Sequence, residues 1–317
     1  MTDKPDILLM AGTRPDQIAQ LEQRFTLHRY HDADAAERTA MLDQFGARIR
    51  GIVASGPTTI TADLLDRLPA LEIVSSNSAG YDRMDAPALK AKGVILTNAS
   101  VALSDDVANA GIMLMMAARA DLIRQDAFVR DGAWANGEFP LTHSLTGARL
   151  GIVGMGQIGQ AILERATALK MDIAYHTRSE KPCVGARYEP DLVALADWAQ
   201  ILMVIVPGGK ATEHLINADV LRALGPDGTL VNIARGSVVD EAALIAALRD
   251  GTLGSAALDV FANEPKPNPD LTSLLNVTLA PHHASGTFEA REAMAQTMVD
   301  NLIAHFDGKP VLTPVAL

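Results

Sequence analysis

The 317-residue sequence predicts an α/β protein built on two doubly wound parallel sheets. Three observations predict it. Short β-rich runs alternate with helical patterns through the first hundred residues. A second series of the same kind begins at Ala148. That second series opens on a strand, a glycine-punctuated turn and a helix, ARLGIVGMGQIGQAILERATAL. The length is comfortable for two domains, each able to bury a core.

In the first series, strands are expected at residues 7–10, 27–30, 51–54, 71–75 and 94–97. Helices are expected at 16–24, 33–45, 61–68 and 86–92. Parallel sheets bind ligands at strand C-termini, which marks the loops SGPTT (55–59) and NSAGYD (77–82), although both also suit ordinary turns. One long helix is expected over 105–130, capped by Asp105 or Asp106 and usable as a connector and dimer surface. Its methionines, Met113, Met115 and Met116, suit packing better than cofactor binding. The segment GAWANGEFPLTHSLTG that follows reads as loop, with Trp134 either a core anchor or an interface residue.

The second series supplies six expected strands, at 150–153, 172–175, 201–206, 229–233, 255–258 and 277–280. A last helix is expected over Phe288–Phe306 with no strand after it, free to pack back on the first domain. The helix after the glycine turn carries an apolar face at Ile158, Ala161, Ile162, Ala166 and Leu169, broken only by Arg165.

Composition narrows the function. A net charge of −11 argues against nucleic acid as partner. The most apolar window of the middle region, 112–118, is short for a membrane span, and the N-terminal run is too short for a secretory signal. The one cysteine, Cys183, excludes an intrachain disulfide and a multi-cysteine metal site and fits a cytosolic protein. No metal is expected.

The glycine turn points to a dinucleotide. Gly154 permits the turn, Gly156 admits a pyrophosphate close to the backbone, and Gly159 lets helix and strand pack closely. Met155, Gln157 and Ile158 complete the phosphate-binding stretch at the helix N-terminus. About 20 residues on, where NAD-type sites carry an acid, the sequence reads YHTRSEKP. His176 stands in that place, followed by Thr177, Arg178, Ser179 and Lys181. A guanidinium and a hydroxyl suit an adenosine 2′-phosphate, so NADPH (NADP+) is expected, with NADH the lesser partner.

Three further stretches end apolar strands with polar groups: NIARGS with Arg235, ALDVFANEP with Asp259 and Glu264, and LAPHHASGT with His282. Each has an ordinary alternative as a surface cation, a loop charge or a structural histidine. Together, at successive strand ends, they suit reduction of a 2-keto acid. Arginine would hold the carboxylate and polarise the carbonyl, and histidine would protonate the oxygen as hydride arrives. A carboxylate bonded to an imidazole favours the protonated ring.

Over essentially its whole length the sequence resembles the D-isomer-specific 2-hydroxyacid dehydrogenase family. SNSAGYDRMD, GIVGMGQIG, NIARGSVVDEAAL, ALDVFANEP and LAPHHASGT carry the resemblance. YHTRSEKP and HHASGTFEAREAM bring it nearest to NADPH-preferring glyoxylate/hydroxypyruvate and hydroxyphenylpyruvate reductases. The resemblance implies a flavodoxin-like substrate domain (1–100 plus 287–317), a Rossmann domain (101–286) and a cleft between them. It implies Arg235, Glu264 and His282 as the catalytic set, and main-chain N–H groups of Ser78, Ala79 and Gly80 on the substrate carboxylate beside Arg235. Val206, Pro207, Thr212, Ile233, Ala234, Asp259 and Ser285 are expected along the cofactor, and Ser55, Leu103 and Trp134 near the substrate. It also implies a homodimer joined through the nucleotide domains, with the Trp134 loop able to reach the partner's active site. Ala284 replaces a glycine common among relatives, and His283 is the variable neighbour of His282. The expected reaction is NADPH-dependent reduction of glyoxylate or hydroxypyruvate. Hydroxyphenylpyruvate is the alternative substrate. A nucleotide-sensing scaffold, or a formate or phosphite dehydrogenase, fits less well because the Arg/Glu/His set is intact.

Overall fold

The computed structural model describes residues 4–182 and 185–317, so Cys183 lies outside the described residues. The chain divides into one unit of residues 1–103 and 287–317 and another of residues 104–286.

The first unit runs β1 (Asp6–Leu9), α1 (Pro15–Arg24), β2 (Thr26–His28), α2 (Ala35–Phe45), β3 (Ile49–Ala54), α3 (Ala62–Asp66), β4 (Ile73–Ser76), α4 (Ala86–Ala91) and β5 (Ile95–Thr97). All five strands are parallel, in the order β2-β1-β3-β4-β5, the order of flavodoxin-like sheets. Strands covered on both faces must be apolar on both, and β3 and β4 are buried almost throughout. Helix starts are set by side-chain caps: Asp34 and Glu37 form a reciprocal capping box on α2, and Thr61 and Asp85 cap α3 and α4.

Next come α5 (Ser100–Arg119) and α6 (Leu122–Arg130). The expected single helix over 105–130 is therefore two. Asp121 breaks it with a left-handed φ of 52°, a conformation that aspartate tolerates better than most residues. Asp105 and Asp106 are not caps, because α5 starts five residues before the first of them. Asp105 instead pairs with Arg165 at 2.8 Å, and Arg165 also donates to Asn109. That pairing explains the one charge on the apolar face of the glycine-turn helix. By length and composition α5 could cross a membrane, contrary to the short window expected; here Ala108, Leu114 and Met115 are buried in the protein. Of the methionines only Met115 packs inside, while Met113 and Met116 are 59% and 44% exposed. Trp134, 67% exposed, is not a core anchor.

The second unit continues with β6 (Arg149–Val153), α7 (Gln157–Ala168), β7 (Asp172–His176), β8 (Arg187–Tyr188), α8 (Leu192–Trp198), β9 (Ile201–Val204), α9 (Ala218–Leu224), β10 (Thr229–Asn232), α10 (Glu241–Asp250), β11 (Ser255–Leu258), α11 (Pro269–Thr272) and β12 (Val277–Leu279). The sheet is parallel, in the order β12-β11-β10-β9-β6-β7-β8, which contains the strand order of dinucleotide-binding folds. Among the described residues it has seven strands where six were expected. The addition, β8, pairs with β7 through only two residues, too few to show a periodic pattern.

The last helix, α12 (Phe288–Phe306), has its expected bounds and is capped by Thr287. Met298, Val299 and Leu302 complete an apolar cluster with Ile7, Leu9, Leu21, Val53 and Ile73 of the first unit. Glu72, just before β4, is bonded to Arg50 of β3 (2.6 Å) and to His305 of this helix (2.8 Å). Burial pushes the Glu72 carboxyl up, but Arg50 and His305 outweigh it and hold it below the usual carboxylate range. Replacing the fully buried Leu302 with alanine should destabilise the protein by about 2–5 kcal/mol in urea unfolding.

Candidate active site

Every chemically marked loop of the second unit follows the C-terminal end of a parallel strand. Along the sheet they run from His282 after β12, through Asp259 and Glu264 after β11, Arg235 after β10 and Val206–Pro207 after β9, to the glycine turn after β6 and the stretch His176–Ser179 that begins on the last residue of β7. The order reverses between β9 and β6, the crevice where such sheets bind ligands.

The glycines have separate jobs. Gly154 has φ 107°, and a Cβ there would meet the Ile205 carbonyl oxygen at 2.8 Å. A Cβ on Gly159 would lie 2.4 Å from the Gly154 carbonyl oxygen. Gly156 faces open space and caps α7 without a side-chain acceptor, so the first-turn amides of Gln157, Ile158 and Gly159 have no side chain closing over them. This is a cradle that fits a pyrophosphate.

After β7, His176 Nδ1 lies 3.1 Å from the Glu189 carbonyl oxygen, and the Thr177 hydroxyl donates to the Ser179 carbonyl. Arg178 and Ser179 are exposed, and among the described residues the Arg178 guanidinium has no protein partner. Two features here had no clear sequence signal. The buried Tyr175 hydroxyl accepts from Lys181 N and donates to Lys181 O, folding the loop back. Lys181 Nζ then donates to the Met155 carbonyl in the glycine turn, at 3.2 Å. A cation thus touches the pyrophosphate cradle, and the residues present fit a phosphorylated dinucleotide.

The structure joins Glu264 and His282. Glu264 Oε2 lies 2.6 Å from His282 Nδ1, while Oε1 accepts the Phe261 amide at 3.0 Å. The carboxylate is fixed at both oxygens and holds the ring so that Nε2 is left for chemistry. His282 itself has φ 51°, and its amide donates to the Asp259 carbonyl at 2.7 Å. Arg235 follows β10, where Asn232 bonds both Arg235 O and Ala234 N and fixes the turn. Gly236 lies against Phe261, a Cβ there falling 1.9 Å from the Phe261 carbonyl group, so the Arg235 and Glu264 loops touch.

Asp259, expected along the cofactor, also serves the protein. It is 1% exposed, and its two oxygens accept the amides of His283 (2.7 Å) and Ala284 (3.0 Å). One buried carboxylate therefore shapes the loop that presents His282. Elsewhere, Thr212 donates to Pro207 O at 2.6 Å, Ile233 and Ala234 are buried, and Ser285 is half-buried.

In the first unit, Ser78–Gly80 follow β4 and Ser55 follows β3. The Ser78 amide is engaged by Ser76 Oγ at 3.3 Å, whereas among the described residues the Ala79 and Gly80 amides have no protein acceptor. Ser55 is bonded to Thr58, and Leu103 is buried. No cluster of three or more metal-ligating side chains occurs among the described residues.

Comparison with known proteins agrees with the fold. Residues 112–284 match the model of the D-isomer specific 2-hydroxyacid dehydrogenase NAD binding domain. The chain is 44% identical over 315 residues to a 2-ketogluconate reductase of Gluconobacter oxydans, covering 99% of this chain and 100% of that protein. It is 46% identical to a hydroxyphenylpyruvate reductase of Plectranthus scutellarioides, covering 98% of each. Among solved structures, the NADPH-dependent glyoxylate/hydroxypyruvate reductase of Sinorhizobium meliloti, in complex with NADP and malonate, superposes with a TM-score of 0.90 at 42% identity, covering 99% of this chain and 97% of that one.

Replacing Asp259 with alanine should orphan the buried Ala284 amide, at a cost of about 1–3 kcal/mol, and the part-buried His283 amide, at a smaller cost. Asparagine, which keeps one acceptor, should recover part of that loss in thermal unfolding.

Proposed function

The chain belongs to the D-isomer-specific 2-hydroxyacid dehydrogenase family, and on that premise we propose that it reduces small 2-keto acids, glyoxylate and hydroxypyruvate, to D-2-hydroxy acids with NADPH. The observation that carries this is the Glu264–His282 pair at 2.6 Å, at the strand ends of a dinucleotide-binding sheet.

NADPH held at the glycine turn would supply the hydride for the keto carbon. His282 gives the proton on Nε2 to the carbonyl oxygen and is reprotonated from solvent. Glu264 keeps Nδ1–H directed at itself and balances the ring charge. Arg235 holds the substrate carboxylate and polarises the carbonyl. The free amides of Ala79 and Gly80 are the second carboxylate anchor, which makes the first unit the substrate-binding domain. Gly154–Gly159 carry the pyrophosphate, and Arg178 with Ser179 takes the 2′-phosphate in place of a ribose-binding acid. Val206, Pro207, Thr212, Ile233, Ala234 and Ser285 line the rest of the cofactor, with Ser55 and Trp134 toward the substrate. A single cysteine suits a cytosolic setting.

Nicotinamide absorbance tests this with glyoxylate, hydroxypyruvate, 4-hydroxyphenylpyruvate and 2-ketogluconate, with NADPH and then NADH. The small acids should turn over fastest with NADPH. Arg178→Ala should raise KM for NADPH about 10-fold or more and leave KM for NADH nearly unchanged. His282→Gln should lower kcat by about 10²–10⁴. Equal use of NADH by the unaltered enzyme overturns the cofactor assignment, and a higher rate on the aromatic or sugar acid overturns the substrate order.

We assign the exposed apolar groove of Ile112, Met113, Met116, Leu122, Leu145 and Leu169 to a second copy of the chain. It lies on the nucleotide-binding unit, where the family pattern puts the dimer. Met116→Asp should convert a dimer to a monomer in analytical ultracentrifugation.

A further inference from the structure

The carboxylate anchor assigned above uses backbone amides, so something must aim them. The three carbonyls of the Ser78–Gly80 loop are all turned into the protein. Ser78 O accepts the Ala99 amide at 3.0 Å, Gly80 O accepts the Ser78 hydroxyl at 2.8 Å, and Ala79 O accepts Asn98 Nδ2 at 2.9 Å. A peptide whose carbonyl is held on one side shows its N–H on the other. The Ala79 carbonyl belongs to the same peptide plane as the Gly80 amide, so the Asn98 bond fixes the direction of that donor. The Ala99 bond does the same for the Ala79 amide.

Asn98 is itself braced on every polar atom. Its Oδ1 accepts the Ser100 hydroxyl (3.0 Å) and amide (3.4 Å) at the start of α5. Its main-chain N–H donates to Thr313 O (3.3 Å), and its main-chain carbonyl accepts the Thr313 hydroxyl (2.5 Å). Thr313 lies on the C-terminal segment, which pairs with the edge of β5 through the Val315 amide on Leu96 O at 2.8 Å. The buried Asn301 of α12 holds this segment, accepting the amides of Leu312 (2.9 Å) and Thr313 (3.1 Å) and donating to Thr313 Oγ1 (2.9 Å).

We propose that Asn98 is a positioning residue for substrate-carboxylate recognition, and that the C-terminal segment, through Thr313 and Asn301, braces it. The inference rests on Ala79 and Gly80 being the carboxylate anchor. It assigns the C-terminal residues a role in substrate affinity as well as in covering a sheet edge.

Asn98→Asp separates positioning from capping. Aspartate accepts from Ser100 as well as asparagine does, but it turns an acceptor toward Ala79 O. KM for glyoxylate should rise roughly 10- to 100-fold in Asn98→Asp and less in Asn98→Ala, with kcat and the Kd for NADPH nearly unchanged. Thr313→Val should raise KM about 2- to 5-fold. Calorimetric binding of oxalate to the NADP-loaded protein gives a carboxylate readout that needs no turnover, and it should weaken in parallel. A purely structural cap predicts the reverse order, with aspartate restoring what alanine loses, and that result overturns the proposal. Unchanged oxalate affinity in Asn98→Asp overturns it too, whether or not glyoxylate turns over. If the unaltered protein binds oxalate but reduces no keto acid, the substrate assignment fails and the positioning proposal is still decided. If it binds no oxalate, both fail.

Discussion

The constraint on which the molecule depends is parallel strand pairing with both sheet faces covered. A strand such as Ile201–Val204, buried at every residue, has no room for a charge. Polar chemistry is therefore expelled to strand ends, and parallel pairing puts those ends on one edge. Arg235, Glu264 and His282 are far apart in sequence, yet they follow three strands that are neighbours in the sheet. The same constraint sets the glycine turn two strands away from β10, with β9 between.

A second consequence concerns charge. A chain with net charge −11 must bind an anionic cofactor and an anionic substrate against its own field. Backbone amides at the start of α7 supply partial positive charge without a cation to desolvate. The cations present are local: Arg178 is exposed, and Lys181 is held by Tyr175 against the glycine turn. On the assignment above, the dinucleotide site is built largely from main-chain donors, with Lys181 beside the pyrophosphate cradle and Arg178 kept for the extra phosphate.

Sequence patterning carries most of the strands and the helix at Phe288–Phe306 because periodicity and caps are local. Thr287 and the apolar face of α12 both lie within a few residues of what they determine. The α5–α6 break was illegible because it rests on one left-handed aspartate, with neither glycine nor proline to mark it. β8 was illegible because two residues have no period. Arg165 read as a flaw in an amphipathic helix until Asp105 and Asn109, distant in sequence, came into place beside it. That Arg235, Glu264 and His282 follow strand ends was legible. The groups that aim them were not.

Those aiming groups follow one physical logic in both units. Asp259 and Asn98 each stand just after a strand, where such residues read as ordinary turn formers. In each case the side chain bonds main-chain groups of a neighbouring functional loop. Asp259 takes two amides and so shapes the loop that presents His282. Asn98 gives its amide to a carbonyl and, on the assignment above, turns an amide toward the substrate. Acceptor and donor are not interchangeable between the two. The first loop must be held by its N–H groups, and the second must keep its N–H groups free. A carboxylate at one place and a carboxamide at the other follow from that difference alone.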